Sequence, residues 1–180
     1  MLSRRFPLPV KFISGLIYSS EEIYLSTKSL LIHKYGQIDF ESQPILFNFT
    51  DYYTKEMGSG LTRRFISFRK LRNPAEFLKI KLYCLKLEKR FAVDSHRLIN
   101  VDPGYLNEAK LVLVTTKDFS HRIYLGKGIY AEVTLQYRDG SFLESPSTFP
   151  DFRTPEYKEI FTHIRDSYRR DIKKLCLKKK

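Results

Sequence analysis

From Asn100 to Tyr137 the chain reads NVDPGYLNEAKLVLVTTKDFSHRIYLGKGIYAEVTLQY, and the reading of this stretch decides the fold. Lys110 to Thr116 is apolar on both faces, Leu111 and Leu113 against Val112 and Val114, as a strand in the middle of a sheet must be. His121 to Leu125 and Ile129 to Arg138 follow as strands, separated by the turn Gly126-Lys127-Gly128. In the longer one, Ala131, Val133, Leu135 and Tyr137 alternate with Glu132, Thr134 and Gln136, which predicts opposite faces for the two sets. Asp139-Gly140 is a two-residue hairpin signal, so Lys110–Leu143 reads as a β-meander. Just before it, Arg97 to Val101 reads as a short strand and Asp102-Pro103-Gly104 as a type II turn.

On the N-terminal side of this region, Lys11 to Tyr18 is an apolar, β-prone run. Ser19 with Glu22 forms a capping-box pattern, and Gly36 suits a helix stop, which predicts a helix over about 20–35. Ile45 to Tyr53 and Thr62 to Phe68 read as a hairpin with a long glycine-containing loop. Asn73-Pro74-Ala75-Glu76 supplies a cap, a proline at the first helical position and a glutamate at the third. Behind it, Phe77, Ile80, Cys84, Leu87 and Phe91 form an apolar stripe, with Lys79, Lys81, Lys86, Lys89 and Arg90 as a basic outer face. That face is read either as solvated or as a nucleic-acid contact. On the C-terminal side, Thr154-Pro155-Glu156 opens a last helix whose stripe runs from Tyr157 to Leu175. The expected architecture is α+β: a mainly antiparallel sheet, with a split βαβ core over Lys11–Val101 plus the meander, packed by three helices. The expected division is a basic lead-in (1–10), one domain (11–172) and a basic tail (173–180).

Composition fits a folded domain: 180 residues, 42% hydrophobic and 14% aromatic, with twelve Tyr, fourteen Phe and no Trp. The formal charge of +12 favours encounter with anions, nucleic acid included. Cys84 and Cys176 imply neither a disulfide framework nor a metal knuckle, and none of the four histidines has metal-ligand spacing, so no zinc site is expected. No apolar run approaches the ~18 residues that span a bilayer. A cytoplasmic protein without membrane contact is therefore expected.

Asp51-Tyr52-Tyr53 with Glu56-Met57-Gly58, the run Asn100 to Tyr105, Lys110 to Glu132 and Asp151 to Tyr157 carry a resemblance. The chain resembles, over roughly 11–170, an uncharacterised bacterial and archaeal domain-of-unknown-function family, some of whose members are named GTP-binding proteins. The resemblance implies a single domain and brings no catalytic residue with it. Gly126-Lys127-Gly128-Ile129 lacks the leading glycine and the following Ser or Thr of a P-loop, and no dinucleotide fingerprint is present.

Candidate chemistry gathers at the sheet turns. His121 can exchange a proton near neutral pH, and Asp118, Asp102 and Glu132 are candidate acid–base partners. Arg63, Arg64, Tyr105, Lys117, Arg122 and Lys127 are candidate ligand-binding residues, the arginine pair because a guanidinium fork suits phosphate or carboxylate. Two readings result: a protein that binds a phosphorylated or other anionic small molecule, as an enzyme if His121 moves protons, or an RNA- or DNA-binding module without catalysis.

Overall fold

All eight residues of Lys11–Tyr18 (β1) are buried, because strands flank it on both sides and helices cover both faces. The computed structural model describes residues 6–50, 52–94 and 96–177. Residues 1–5 of the expected lead-in and 178–180 of the expected tail lie outside it. After β1 come α1 (Glu21–Tyr35), β2 (Ile38–Glu41), β3 (Ile45–Leu46), the one-turn α2 (Thr54–Met57), β4 (Thr62–Phe68), α3 (Phe77–Arg90) and β5 (Ile99–Leu106). The sheet order β2-β4-β1-β5, antiparallel throughout, is the split βαβ arrangement expected. Its two crossover helices lie on one face, where Tyr24, Leu31, Phe77, Ile80 and Cys84 pack on Phe12, Leu16 and Phe68. The helix starts follow local chemistry. Asn73 Oδ1 accepts from the Ala75 amide while Glu76 accepts from the Asn73 amide, which completes the expected capping box. At α1 the cap is Ser20, whose hydroxyl accepts from the Ile23 amide; Ser19 instead donates to Leu98 O.

Beyond β5 the sheet continues through β6 (Lys110–Thr115), β7 (Ile123–Gly126), β8 (Ile129–Arg138) and β9 (Ser141–Glu144), in the order β5-β6-β8-β7 with β9 also on β8. This is not the strict meander expected, since β8 lies between β6 and β7. Burial explains the exchange. β8 carries Ile129 and Leu135 into the core, whereas Ile123, Tyr124 and Leu125 of β7 are exposed and suit an edge. The last helix, α4 (Pro155–Leu177), covers the opposite face with Tyr157, Phe161, Ile164, Tyr168 and Ile172, packing on Phe65, Leu111 and Leu135. Lys11, wholly buried, ties it down: its Nζ is 2.6 Å from Asp39 of β2 and 2.6 Å from Asp171 of α4.

Three local departures from the sequence reading shape the site. Asp102-Pro103-Gly104 is not a turn; β5 runs straight through it, paired with β1 from Ile99 to Leu106. Gly104 is there because a Cβ would stand 2.4 Å from Val112 O and 2.8 Å from Leu113 Cδ2, so β5 can meet β6 only without a side chain. The strand expected from Ile45 to Tyr53 stops at Leu46, after which Phe47, Tyr53 and Met57 turn inward against Ile17 and Leu61. In β8 the register against β6 shifts, so that Leu113 faces Glu132 and Leu111 faces Leu135. The bulge puts Glu132 and Leu135 on the same face, not on opposite faces as strict alternation predicts.

A candidate ligand cleft where two strands part

β5 and β6 are paired only from Gly104 to Leu106. The residue at the break is Pro103, which has no amide hydrogen to leave unpaired. One step further, Val101 has no strand partner on this side, and side chains of α3 take the place of one. Glu88 accepts from the Val101 amide at 2.8 Å, and Lys81 Nζ donates to its carbonyl at 3.0 Å. The parting of the strands opens a cleft of about 650 Å³. It passes through the plane of the sheet: Lys81, Leu85 and Glu88 of α3 line one side, and Phe149 to Phe152, at the start of the turn before α4, line the other. Phe47, Phe49, Tyr52 and Tyr53, from the segment between β3 and β4, add an aromatic wall.

Arg63 of β4 lies in this cleft with only 3% of its surface exposed, and four rings surround its guanidinium, Phe47 at 4.9 Å, Phe65 at 5.4 Å, Phe152 at 5.5 Å and Tyr157 at 5.9 Å. Gly15, paired with Phe65 across the ladder, leaves room for the Phe65 ring beneath it: a Cβ there would lie 3.1 Å from that ring. The guanidinium is near two carboxylates, Asp151 at 3.2 Å and Asp102 at 3.8 Å. Nε has no hydrogen-bond partner, and Nη1 meets Asp151 only as an ion pair without hydrogen-bond alignment, so two buried donors are left short of a well-placed acceptor. Lys81 is 3.5 Å from Asp102 and 3.9 Å from Glu88, and Asn100 donates to Asp102 at 2.7 Å. Arg97 closes one end of the network, donating to both oxygens of Glu56 at 2.7 Å and reaching Glu88 and Asn100 at 3.1 Å. Burial pushes the Glu88 and Asp151 carboxyls above the ordinary range, against the opposing pull of Lys81 and Arg63 respectively. Among the described lining residues, four cations (Arg63, Lys81, Arg97, Lys117) balance four carboxylates (Glu88, Asp102, Glu132, Asp151).

Of the residues singled out from sequence, Arg63, Asp102, Lys117 and Glu132 line this cleft. Lys117 places its ammonium 3.7 Å from the centre of the Tyr52 ring. His121 and Arg122 stand behind Glu132, with Nε2 and Nε at 3.1 Å and 2.7 Å from Glu132 Oε2, and Thr134 donates to Oε1. His121 Nδ1 is buried without a partner. The carboxylate beside the imidazole is thus Glu132; Asp118 is exposed and lies near Tyr130. Three residues are placed elsewhere. Arg64 is on the other face of the sheet, 2.9 Å from Glu21 and 3.2 Å from Glu41, with its guanidinium over Tyr24. Tyr105 packs on Phe77 beneath α3. Lys127 sits exposed at the tip of the β7–β8 hairpin, φ 53°. Asp51 lies outside the described residues. Lys81 and Glu88, missed from sequence, are spaced by seven on one flank of the apolar stripe of α3, a placement that a helical projection marks as bordering the core.

A split βαβ sheet extended by an antiparallel ladder, with a polar and aromatic cleft where the two parts join, defines the class of this α+β protein. The chain belongs to a family described as Domain of unknown function (DUF4416), whose model matches residues 8–168. Searches of curated proteins and of solved structures returned no match. Among the described residues no helix is long and apolar enough to cross a membrane, and no cluster of His, Cys, Asp and Glu could hold a metal ion.

Proposed function

We propose that the chain is a small-molecule-binding protein whose ligand, a molecule bearing an anionic phosphate or carboxylate group and a ring, occupies the cleft between β5 and β6. The observation that carries this reading is Arg63: a charged side chain almost wholly buried in a cleft, with two donors unaligned to any acceptor. A buried donor left unsatisfied costs on the order of 1–3 kcal/mol, and an incoming phosphate or carboxylate oxygen removes that cost. Lys117 at the Tyr52 wall supplies a second positive charge, and the rings of Phe47, Tyr53 and Phe149 supply flat apolar surface. A proton moved by His121 would reach a ligand in this cleft through Glu132, whose carboxylate lies between them.

The test is heat denaturation and titration calorimetry with nucleoside monophosphates and aromatic carboxylates. A saturable rise in melting temperature is expected, abolished in Arg63→Met and reduced in Arg63→Lys. If both panels leave the wild-type protein unchanged, or if Arg63→Met binds as well as wild type, the reading is wrong.

A second reading, RNA or DNA as partner, is favoured by a different place. The groove between α1 and α3 is lined by Lys34, Arg72, Lys79 and Lys86 against one carboxylate, Glu76. Positive charge in excess thus lies on the helical face, whereas the cleft is balanced.

A further inference from the structure

We infer that the ligand of the cleft is a zwitterion of the α-amino-acid type, with its carboxylate on Arg63 and its ammonium on Asp102. The inference rests on the cleft being the ligand site and adds the class of ligand. Asp102 is distinct among the four lining carboxylates. Its side chain is 27% exposed, against 8% for Asp151, 4% for Glu88 and 2% for Glu132, which makes it the most accessible of the four to a ligand. Glu132 is further occupied by His121, Arg122 and Thr134, and Glu88 by the Val101 amide and Arg97. Asp102 keeps capacity: Asn100 is its one close donor at 2.7 Å, while Lys81 and Arg63 stand off at 3.5 and 3.8 Å.

The accessible acceptor and the under-used donor are neighbours. Arg63, whose Nε has no hydrogen-bond partner and whose Nη1 has only the unaligned ion pair with Asp151, has its Nη2 3.8 Å from Asp102, the most exposed of these carboxylates. An α-amino acid carries its carboxylate and its ammonium on one carbon, so both charges can be met at one such pair. Charge balance points the same way. With four cations and four carboxylates already in the lining, a ligand of zero net charge leaves no buried excess, whereas a polyphosphate would bring several charges beside Asp102 and Asp151. The aromatic wall then receives the side chain of the ligand, and 650 Å³ leaves room for a large one.

Titration calorimetry of the full chain with three compounds tests this: L-phenylalanine, 3-phenylpropionate, which lacks the ammonium, and 2-phenylethylamine, which lacks the carboxylate. L-Phenylalanine is expected to bind at least about tenfold more tightly than either, as truncation of a charged hydrogen bond requires. Asp102→Asn should abolish its advantage over 3-phenylpropionate, which has no ammonium for Asp102 to hold. Arg63→Lys should narrow its advantage over 2-phenylethylamine. Melting curves of both variants report folding, and the three-compound comparison on wild type stands without them. If 3-phenylpropionate binds as tightly as L-phenylalanine, the inference is overturned while the anion site survives. If none of the three binds, the inference is overturned as well; the broader reading falls with it only if nucleoside monophosphates also fail.

Discussion

Arg97 and Glu56 join the segment between β3 and β4 to the floor of the cleft, and the joint is sensitive to pH in a definite direction. Hydrogen bonds from Arg97, outweighing partial burial, hold the Glu56 carboxyl below its ordinary value. A depressed folded-state pKa gives stability that is present above the unfolded-chain value, about 4.3, and is lost as pH falls through the folded-state value. Urea denaturation at pH 5 and pH 3 should therefore show a larger fall for wild type than for Glu56→Gln, which has no such proton to gain. Glu88 and Asp151, shifted upward by burial, act with the opposite sign in both proteins and cancel from the comparison. At this scale the sequence was only partly legible. Arg63 and Arg64 read as a fork, yet successive side chains of a strand point to opposite faces, so one enters the cleft and the other braces α1. Lys81 read as part of a solvated face because its position borders the apolar stripe, and only the packing of α3 against the break in β5 decides which way it turns.

Among the elements, β5 departs most from its sequence signature. Pro and Gly in succession ordinarily mark a turn. Here each answers to the neighbouring strand, Pro103 by removing a donor where pairing ends and Gly104 by admitting β6 at close range. Such a requirement is invisible to local propensity because it depends on a strand several residues later in the chain. Gly104→Ala must push β6 aside, and an overpacked site of this kind costs about 1–3 kcal/mol. Urea denaturation should show a loss in that range; an unchanged midpoint would mean that the close approach of the strands is not needed. The amphipathic helices were legible because their stripes and caps are local. The exchange of β7 and β8 was not, since nothing within either strand says which neighbour it will meet, and only their difference in burial separates centre from edge.

For the molecule as a whole, the formal charge of +12 is not drawn from the cleft, where charges match. Nucleic acid, if bound, is expected on the α1–α3 groove, and a salt series measures it. With Lys34, Lys79 and Lys86 each meeting one phosphate of a single-stranded RNA, log K should fall against log salt with a slope of roughly 2. Reversing these three charges to Glu should flatten that slope, while Lys173→Glu, exposed on α4 over the opposite face of the sheet, should leave it intact. Equal loss in both variants would assign the binding to overall charge alone.

The opening between β5 and β6 has one mechanical consequence. It reaches from the helical layer of α1 and α3 to the segment that leads into α4, the two apolar cores on either side of the sheet. A molecule seated there would act as a rivet through the sheet, restoring by its own contacts the continuity that the strands give up. Ligand should then slow amide exchange in both layers together, far from any atom that it touches.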